Sequence, residues 1–263
     1  RDAERSSSRD IVLCLDVSGS ALPYDRAVIE TYLELVSHFR GERIALSIFN
    51  STSRTVFPLT DDYDLVSSQL TKAADALRGV ESQDDIDKMS DKDYQKIADW
   101  LEGTQNRKNS TSLIGDGLVS CAAMIPGFAY GDTSGAARQR PASIVLATDN
   151  VASGTPTYSL AQALDMAEAS HISVDGLFSG PRQSEGDATT TEMKQQIESR
   201  GGTFLTQSGS SDINELVRQI DSRRTSESRR SSQAALIDAP GWWTLMLVVL
   251  LAIWMILAWR LRR

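Results

Sequence analysis

A chain of 263 residues with 41% apolar content has material for one sizeable core plus an appendage. Its net charge of −8 argues against general nucleic-acid binding, because phosphate contacts need clustered Lys and Arg. Without Arg260, Arg262 and Arg263, which lie beyond the last apolar run, 24 Lys and Arg stand against 35 Asp and Glu, a net of −11.

Residues 1–10 are polar and Ser-rich with no apolar h-region, so they are not a signal peptide. The chain starts at Arg1 rather than Met, and the natural start, with any targeting or membrane segment, is expected upstream. Next comes Ile11-Val12-Leu13-Cys14-Leu15, an unbroken apolar run suited to a strand buried on both faces of a parallel sheet. It ends in Asp16, Ser18 and Ser20, with Gly19 allowing a tight turn. Three oxygen-bearing side chains at a strand's carboxyl end suit a hard divalent cation. They equally suit a turn or a cap for the next helix, and the stretch alone leaves both open.

Val28, Ile29, Tyr32, Leu33, Val36 and Phe39 recur at helical spacing, predicting a helix over 24–40 that begins after Pro23 and stops at Gly41. Residues 43–49 read as a strand, and 53–57 as a shorter one closed by Pro58. Asp61-Asp62 opens a helix to about Leu77. Residues 79–109 are polar and charged; one short helix over 93–101 in a solvated, mobile insert is expected. Ser110-Thr111-Ser112-Leu113-Ile114-Gly115 leads into a helix to about Met124, and 127–140 read as loop. Residues 142–147 form another apolar run ending in Thr148-Asp149-Asn150. Helix 158–169, strand 172–178, helix 190–200, strand 203–206 and a final helix over 211–221 follow. This alternation predicts an α/β fold: a doubly wound, mostly parallel sheet with helices on both faces and a ligand site outside the strands' carboxyl ends.

Two cysteines, Cys14 and Cys121, are too few for a disulfide framework. Two buried free thiols are the default, with one disulfide the alternative in an oxidising compartment. His38 and His171 have no Cys or His at metal spacing, which argues against zinc. Residues 222–241 are a Ser/Arg-rich tether ending in Pro240-Gly241. Trp242 to Trp259 is then free of charge, long enough for a transmembrane helix, and flanked by Trp at both ends. The basic tail 260–263 places the C-terminus in the cytoplasm and the large domain outside, although Arg223, Arg224, Arg229 and Arg230 pull the other way.

Asp16-Val17-Ser18-Gly19-Ser20 resembles the DxSxS signature of von Willebrand factor A (VWA) domains, and the Ser112-Leu113-Ile114-Gly115 loop and Asp149 resemble the Thr-loop and Asp-loop that follow it in that family. The resemblance covers residues 11–221. It implies a metal-ion-dependent adhesion site (MIDAS) holding Mg2+ or Mn2+. Asp16, Ser18, Ser20 and Ser112 would be ligands, with Thr111 as the alternative to Ser112, and Asp149 a ligand through water. Ser112 stands where Thr is usual, and Asn150 where Gly is common; Asn tolerates the left-handed backbone that Gly would supply. The strand over 43–49, Pro58-Leu59-Thr60-Asp61-Asp62-Tyr63 and the C-terminal span are similar to bacterial membrane-anchored proteins of the Bat/aerotolerance type. That likeness implies association with MoxR-family AAA+ ATPases or other VWA proteins.

The resulting expectation is a binding module, not an enzyme, in the bacterial inner membrane with its large domain extracytoplasmic. A partner's Asp or Glu would complete the metal's shell. The alternatives are a Mg2+-dependent phosphatase using Asp16 and a scaffold with a vacant metal site. The first wants a second Asp where Ser18 stands, and lacks a well-placed acid or base. A dinucleotide site is excluded because no G-x-G-x-x-G follows the first strand.

Overall fold

The computed structural model describes residues 9–128, 140–206, 216, 218, 219, 222 and 241–261, leaving aside the side chains of 83 and 241–245. Strand β1 (Asp10–Asp16) lies inside a six-stranded sheet of order β3-β2-β1-β4-β5-β6, with β2 Arg43–Phe49, β3 Ser53–Thr60, β4 Ala142–Thr148, β5 Ile172–Phe178 and β6 Phe204–Leu205. Every neighbouring pair is parallel except β2 with β3. The chain runs outward from β1 to β2 and β3, then returns to β1's other flank for β4. The point where the order reverses therefore lies between β1 and β4, and in such sheets that crevice is where ligands bind.

All seven residues of β1 are buried, as a strand covered on both faces requires. Ile11, Leu13 and Leu15 pack with helices α1 (Leu22–Ser37) and α2 (Tyr63–Ala76). Val12 and Cys14 point the other way, into the core made with α5 (Ile114–Ala123), α6 (Leu160–Ala169) and α7 (Ala188–Glu198). The period of two thus places Asp16 on the same face as Cys14. Cys14 is disulfide-bonded to Cys121 of α5, with the two Cα atoms 6.1 Å apart. The default of two free thiols is overturned: that face of β1 meets α5 at a distance a disulfide spans.

Caps set several helix starts. The Asp62 side chain accepts from Leu65 N at the start of α2, and Ser159 with Gln162 forms a reciprocal capping box on α6. Gly115, at the start of α5, sits under the next segment: a Cβ there would lie 1.9 Å from the Tyr158 carbonyl oxygen. Backbone cannot move aside as a side chain can. Gly115→Ala is expected to cost about 3 kcal/mol, read as a lower urea midpoint with unchanged slope.

Three expectations need correction. Pro58 does not close β3; the strand continues to Thr60, at the sheet's edge where a missing N–H is tolerated, with irregular register against Ile44 and Leu46. The 79–109 segment holds two helices, α3 (Gln83–Lys88) and α4 (Asp91–Leu101). Nor is it a solvated insert: Val80, Ile86, Ile97 and Trp100 are buried in the α1/α2 core. The Arg54 guanidinium stacks 5.8 Å from the centre of the Trp100 ring, and Arg54 Nη2 donates to the Trp100 carbonyl (2.6 Å). The helix expected over 211–221 falls mostly outside the described residues, as does much of the loop at 127–140.

The chain divides into two units, Arg1–Asp221 and Ser222–Arg263. In the second, α8 runs from Gly241 to Leu261. Its large apolar side chains from Met246 to Trp259 are exposed, Trp254 at 66% and Ile256 at 64% among them. Among the described residues no helix is long and apolar enough to cross a membrane, so the span expected over 242–259 finds no support there.

Candidate metal centre

The carboxyl ends of four strands meet at the crevice. Asp16 ends β1, Thr148 ends β4, Asn50 follows β2 and Ser179 follows β5. Asp16 is fully buried. Its Oδ1 accepts from Ser18 N (2.9 Å), and its Oδ2 from Ser112 Oγ (2.5 Å) and Thr148 Oγ1 (2.6 Å). Ser18 Oγ and Ser20 Oγ are 3.4 Å apart. The Ser20 hydroxyl also bonds Asp149, whose Oδ1 accepts from Val151 N (2.9 Å). Asp16, Ser18, Ser20, Ser112 and Asp149 are thus joined in one hydrogen-bonded group.

Thr111 points elsewhere. Its Oγ1 donates to Asn50 Oδ1 (2.8 Å), which also accepts from Ser112 N (2.8 Å). The Asn50 backbone carbonyl accepts from Leu113 N (2.9 Å). Asn50 therefore fixes the loop ahead of α5 and turns Ser112 rather than Thr111 toward Asp16. Thr111 and Ser153 exchange backbone hydrogen bonds (2.9 and 3.0 Å), tying that loop to the one after β4.

Backbone conformation accounts for both departures from the usual sequence pattern. Ser112 has φ +52°, where a β-branched residue is strained, so Ser suits this loop better than Thr. Asn150 has φ +57°, the left-handed conformation expected of it, and its Nδ2 donates to the Thr189 carbonyl (2.8 Å).

Burial pushes the Asp16 carboxyl up to about 6; the Ser112 and Thr148 hydroxyls oppose this, and the Asp149 charge adds to it. Asp149 is also raised, chiefly by burial, against the Ser20 hydrogen bond. Asp25, in the first turn of α1, is fully buried and pushed well above the usual carboxylate range, first by burial and then by the Asp16 charge. Its Oδ1 accepts from Ser179 Oγ (3.1 Å), whereas its Oδ2 has no hydrogen-bond partner.

Among the described residues none of these three carboxylates has a salt bridge. Buried carboxylates are ordinarily paired or bind a metal. Hydroxyl and carboxylate oxygens form a donor set that suits a hard divalent cation. Among the described residues there is no group of three or more His, Cys, Asp or Glu that could hold a metal ion, so any such site must draw on serine hydroxyls.

Thr148, Asn50, Asp25 and Ser179 are absent from the sequence-predicted set. Thr148 and Asn50 were within reach of the carboxyl-edge rule, since each ends or directly follows an apolar run. Ser179 directly follows the predicted strand 172–178 and was within reach of the same rule, whereas Asp25 carries no such signal. Asp25 looks like an ordinary first-turn acid, and only the packing of α1 buries it.

No family model matches the chain, and no curated protein matches it in sequence. Among solved structures it is similar to BatB from Bacteroides thetaiotaomicron: 16% identity, TM-score 0.51, 83% of this chain and 99% of that one. It is also similar to an aerotolerance-related membrane protein from Bacteroides fragilis (17% identity, TM-score 0.47, 81% and 99% covered). A third is the manganese-loaded TRAP protein of Plasmodium vivax (16% identity, TM-score 0.46, 82% and 72% covered). At such identities a likeness speaks to fold alone, and of these three only BatB reaches a TM-score of 0.5. The chain thus adopts the von Willebrand factor A fold, in the form seen in BatB.

Proposed function

We propose that this VWA domain binds a divalent cation, Mg2+ or Mn2+, at the crevice between β1 and β4 and uses it to hold a protein partner. Asp16, Ser18, Ser20 and Ser112 would contact the ion, and Asp149 would hold it through water. The observation that carries this reading is the trio of buried carboxylates, Asp16, Asp25 and Asp149, lying among serine hydroxyls with no cationic side chain paired to them. Bound there, the ion supplies an electrophilic position for an Asp or Glu carboxylate from the partner. Asn50 and the Thr111–Ser153 bridge hold Ser112 in place. With serine hydroxyls as most of the donors, the site contributes little negative charge, which leaves the ion's demand for an outside anion unmet.

The proposal extends to the rest of the chain. Residues 11–221 form the binding domain, 222–241 a tether, 242–259 an inner-membrane anchor and 260–263 a cytoplasmic basic tail. The anchor rests on the sequence alone, a charge-free apolar stretch from Trp242 to Trp259. An extracytoplasmic domain is supported by the Cys14–Cys121 disulfide, since such bonds persist in oxidising compartments. A MoxR-type AAA+ ATPase or another VWA protein as the partner rests on the Bat-like sequence layout. The role is binding rather than catalysis: Ser18 stands where an aspartyl phosphatase needs its second Asp.

Calorimetric titration of the full chain with Mg2+ tests the site. Saturable one-site binding is expected for the wild type and none for Asp16→Ala. Equal heats from the two proteins would remove the metal from the proposal.

A further inference from the structure

Asp25 lies outside the sequence pattern that predicts the metal ligands, yet it belongs to the same crevice. It is 0% exposed, and both Asp16 and Asp149 act on it electrostatically. Contacts on two sides tie it to Asp16. On one side, Ser179 Oγ donates to Asp25 Oδ1 (3.1 Å), Ser179 N to the Thr148 carbonyl (3.0 Å) and Thr148 Oγ1 to Asp16 Oδ2 (2.6 Å). On the other, α1 starts on the Asp16 loop: Leu22 N donates to the Ser18 carbonyl (2.9 Å), and Ser18 N to Asp16 Oδ1 (2.9 Å). Asp25 therefore closes a ring built from α1, the Asp16 loop, β4 and the turn after β5.

Within that ring Asp25 Oδ2 has no hydrogen-bond partner. The hydroxyls around it are already committed. Ser179 spends its one proton on Oδ1. Tyr32, two turns further along α1 and within the field of Asp25, donates to the Cys14 and Val145 carbonyls (3.3 and 3.1 Å). No Lys or Arg pairs with Asp25 among the described residues. Nor does Asp25 serve the helix start: it stands in the first turn of α1, but its side chain accepts from Ser179 and from no amide of the helix. A buried carboxylate oxygen without a donor is costly unless something bound supplies one. Mg2+ keeps several of its waters when a protein holds it, and their protons are donors of the kind Oδ2 lacks. Carboxylates that bond to groups already on a metal tune its affinity without touching it.

We propose that Asp25 is a positioning residue of the metal centre. It is not a ligand; its Oδ2 accepts a hydrogen bond from a water that the cation carries, so filling the site also fastens α1 and the β5 turn to it. This rests on the metal binding proposed above.

The test compares calorimetric Mg2+ titration with urea unfolding in EDTA, both on the full chain in mild detergent at neutral pH. Asp25→Asn keeps the shape and removes the charge. Its Mg2+ dissociation constant is expected to rise about tenfold or more. Its urea midpoint in EDTA should stay at or above that of the wild type, because the folded protein no longer buries a carboxyl group that the unfolded chain ionises freely. A residue that only held the fold together would give the opposite pair, a lower midpoint and unchanged affinity. Ser179→Ala, which releases Asp25 Oδ1, should weaken Mg2+ binding in the same direction by a smaller factor, and it decides the matter if Asp25→Asn does not fold. Unchanged dissociation constants in these variants, with the wild type binding Mg2+, overturn the role of Asp25 and leave the metal reading standing. Binding abolished as completely as by Asp16→Ala would make Asp25 a ligand and overturns the proposal as well. So does a loss of affinity matched by a loss of stability in EDTA. A wild type that takes up no Mg2+ removes both readings.

Discussion

A Cys14→Ala/Cys121→Ala double variant is expected to lose about 4 kcal/mol of stability, the largest effect of any change considered. The bond closes a loop between residues 107 positions apart, and chain-entropy models put a loop of about 100 residues near 4.7 kcal/mol, in a range of roughly 2–5 for native disulfides. At this size that corresponds to a melting temperature lower by roughly 10 °C. Urea unfolding of the wild type with and without dithiothreitol should reproduce the difference, and identical midpoints would show that the crosslink adds nothing. The bond also bears on the site. Cys14 is two residues from Asp16 on the same strand face, and Cys121 is on the helix that follows Ser112. The crosslink therefore fixes the carboxylate and the hydroxyl that meet at the crevice relative to each other.

The metal-free protein is expected to lose stability as pH rises, the reverse of ordinary acid denaturation. Asp16 is raised from 3.8 to about 6 in the folded state, so between those values the folded chain holds a proton that the unfolded chain has released. Stability from this group is full below pH 4 and is lost as pH climbs through about 6. The loss amounts to about 3 kcal/mol by pH 7. Asp25 and Asp149 are shifted upward too and act in the same direction. Urea unfolding in EDTA across pH 4–8 should show the decline. Saturating Mg2+ should reverse it at neutral pH, with about 2.7 kcal/mol gained at a hundredfold excess over the dissociation constant. Asp16→Asn should make the decline shallower, leaving only what Asp25 and Asp149 contribute, and abolish the Mg2+ effect. A wild-type profile that is flat, or that rises with pH in EDTA, would contradict the description of the site as a set of buried carboxylates without cationic partners.

Much of the sheet was legible because buried parallel strands announce themselves as apolar runs. Strand 43–49 and strand 172–178 lie where the sequence puts them, and the Asp16 loop and Asp149 fall at one edge because parallel strands share a carboxyl end. Less visible were features that depend on distant partners. The polar composition of 79–109 hides four apolar residues spaced to reach a core that the other helices define. Cys14 and Cys121 give no hint of their separation in space. Asn50 and Asp25 carry ordinary sequence surroundings, and their roles come from the loop and helix packed over them.

The two margins of the sheet are closed to added strands by different means. On one side β3 carries Pro58, which has no amide proton to offer, together with an irregular register. On the other, β6 is only two residues long. An incoming chain finds little continuous ladder on either flank, so copies crowded on a surface are shielded from edge-to-edge polymerisation. Recognition by backbone zippering is disfavoured for the same reason, and visitors are directed to the end of the strands instead of their sides.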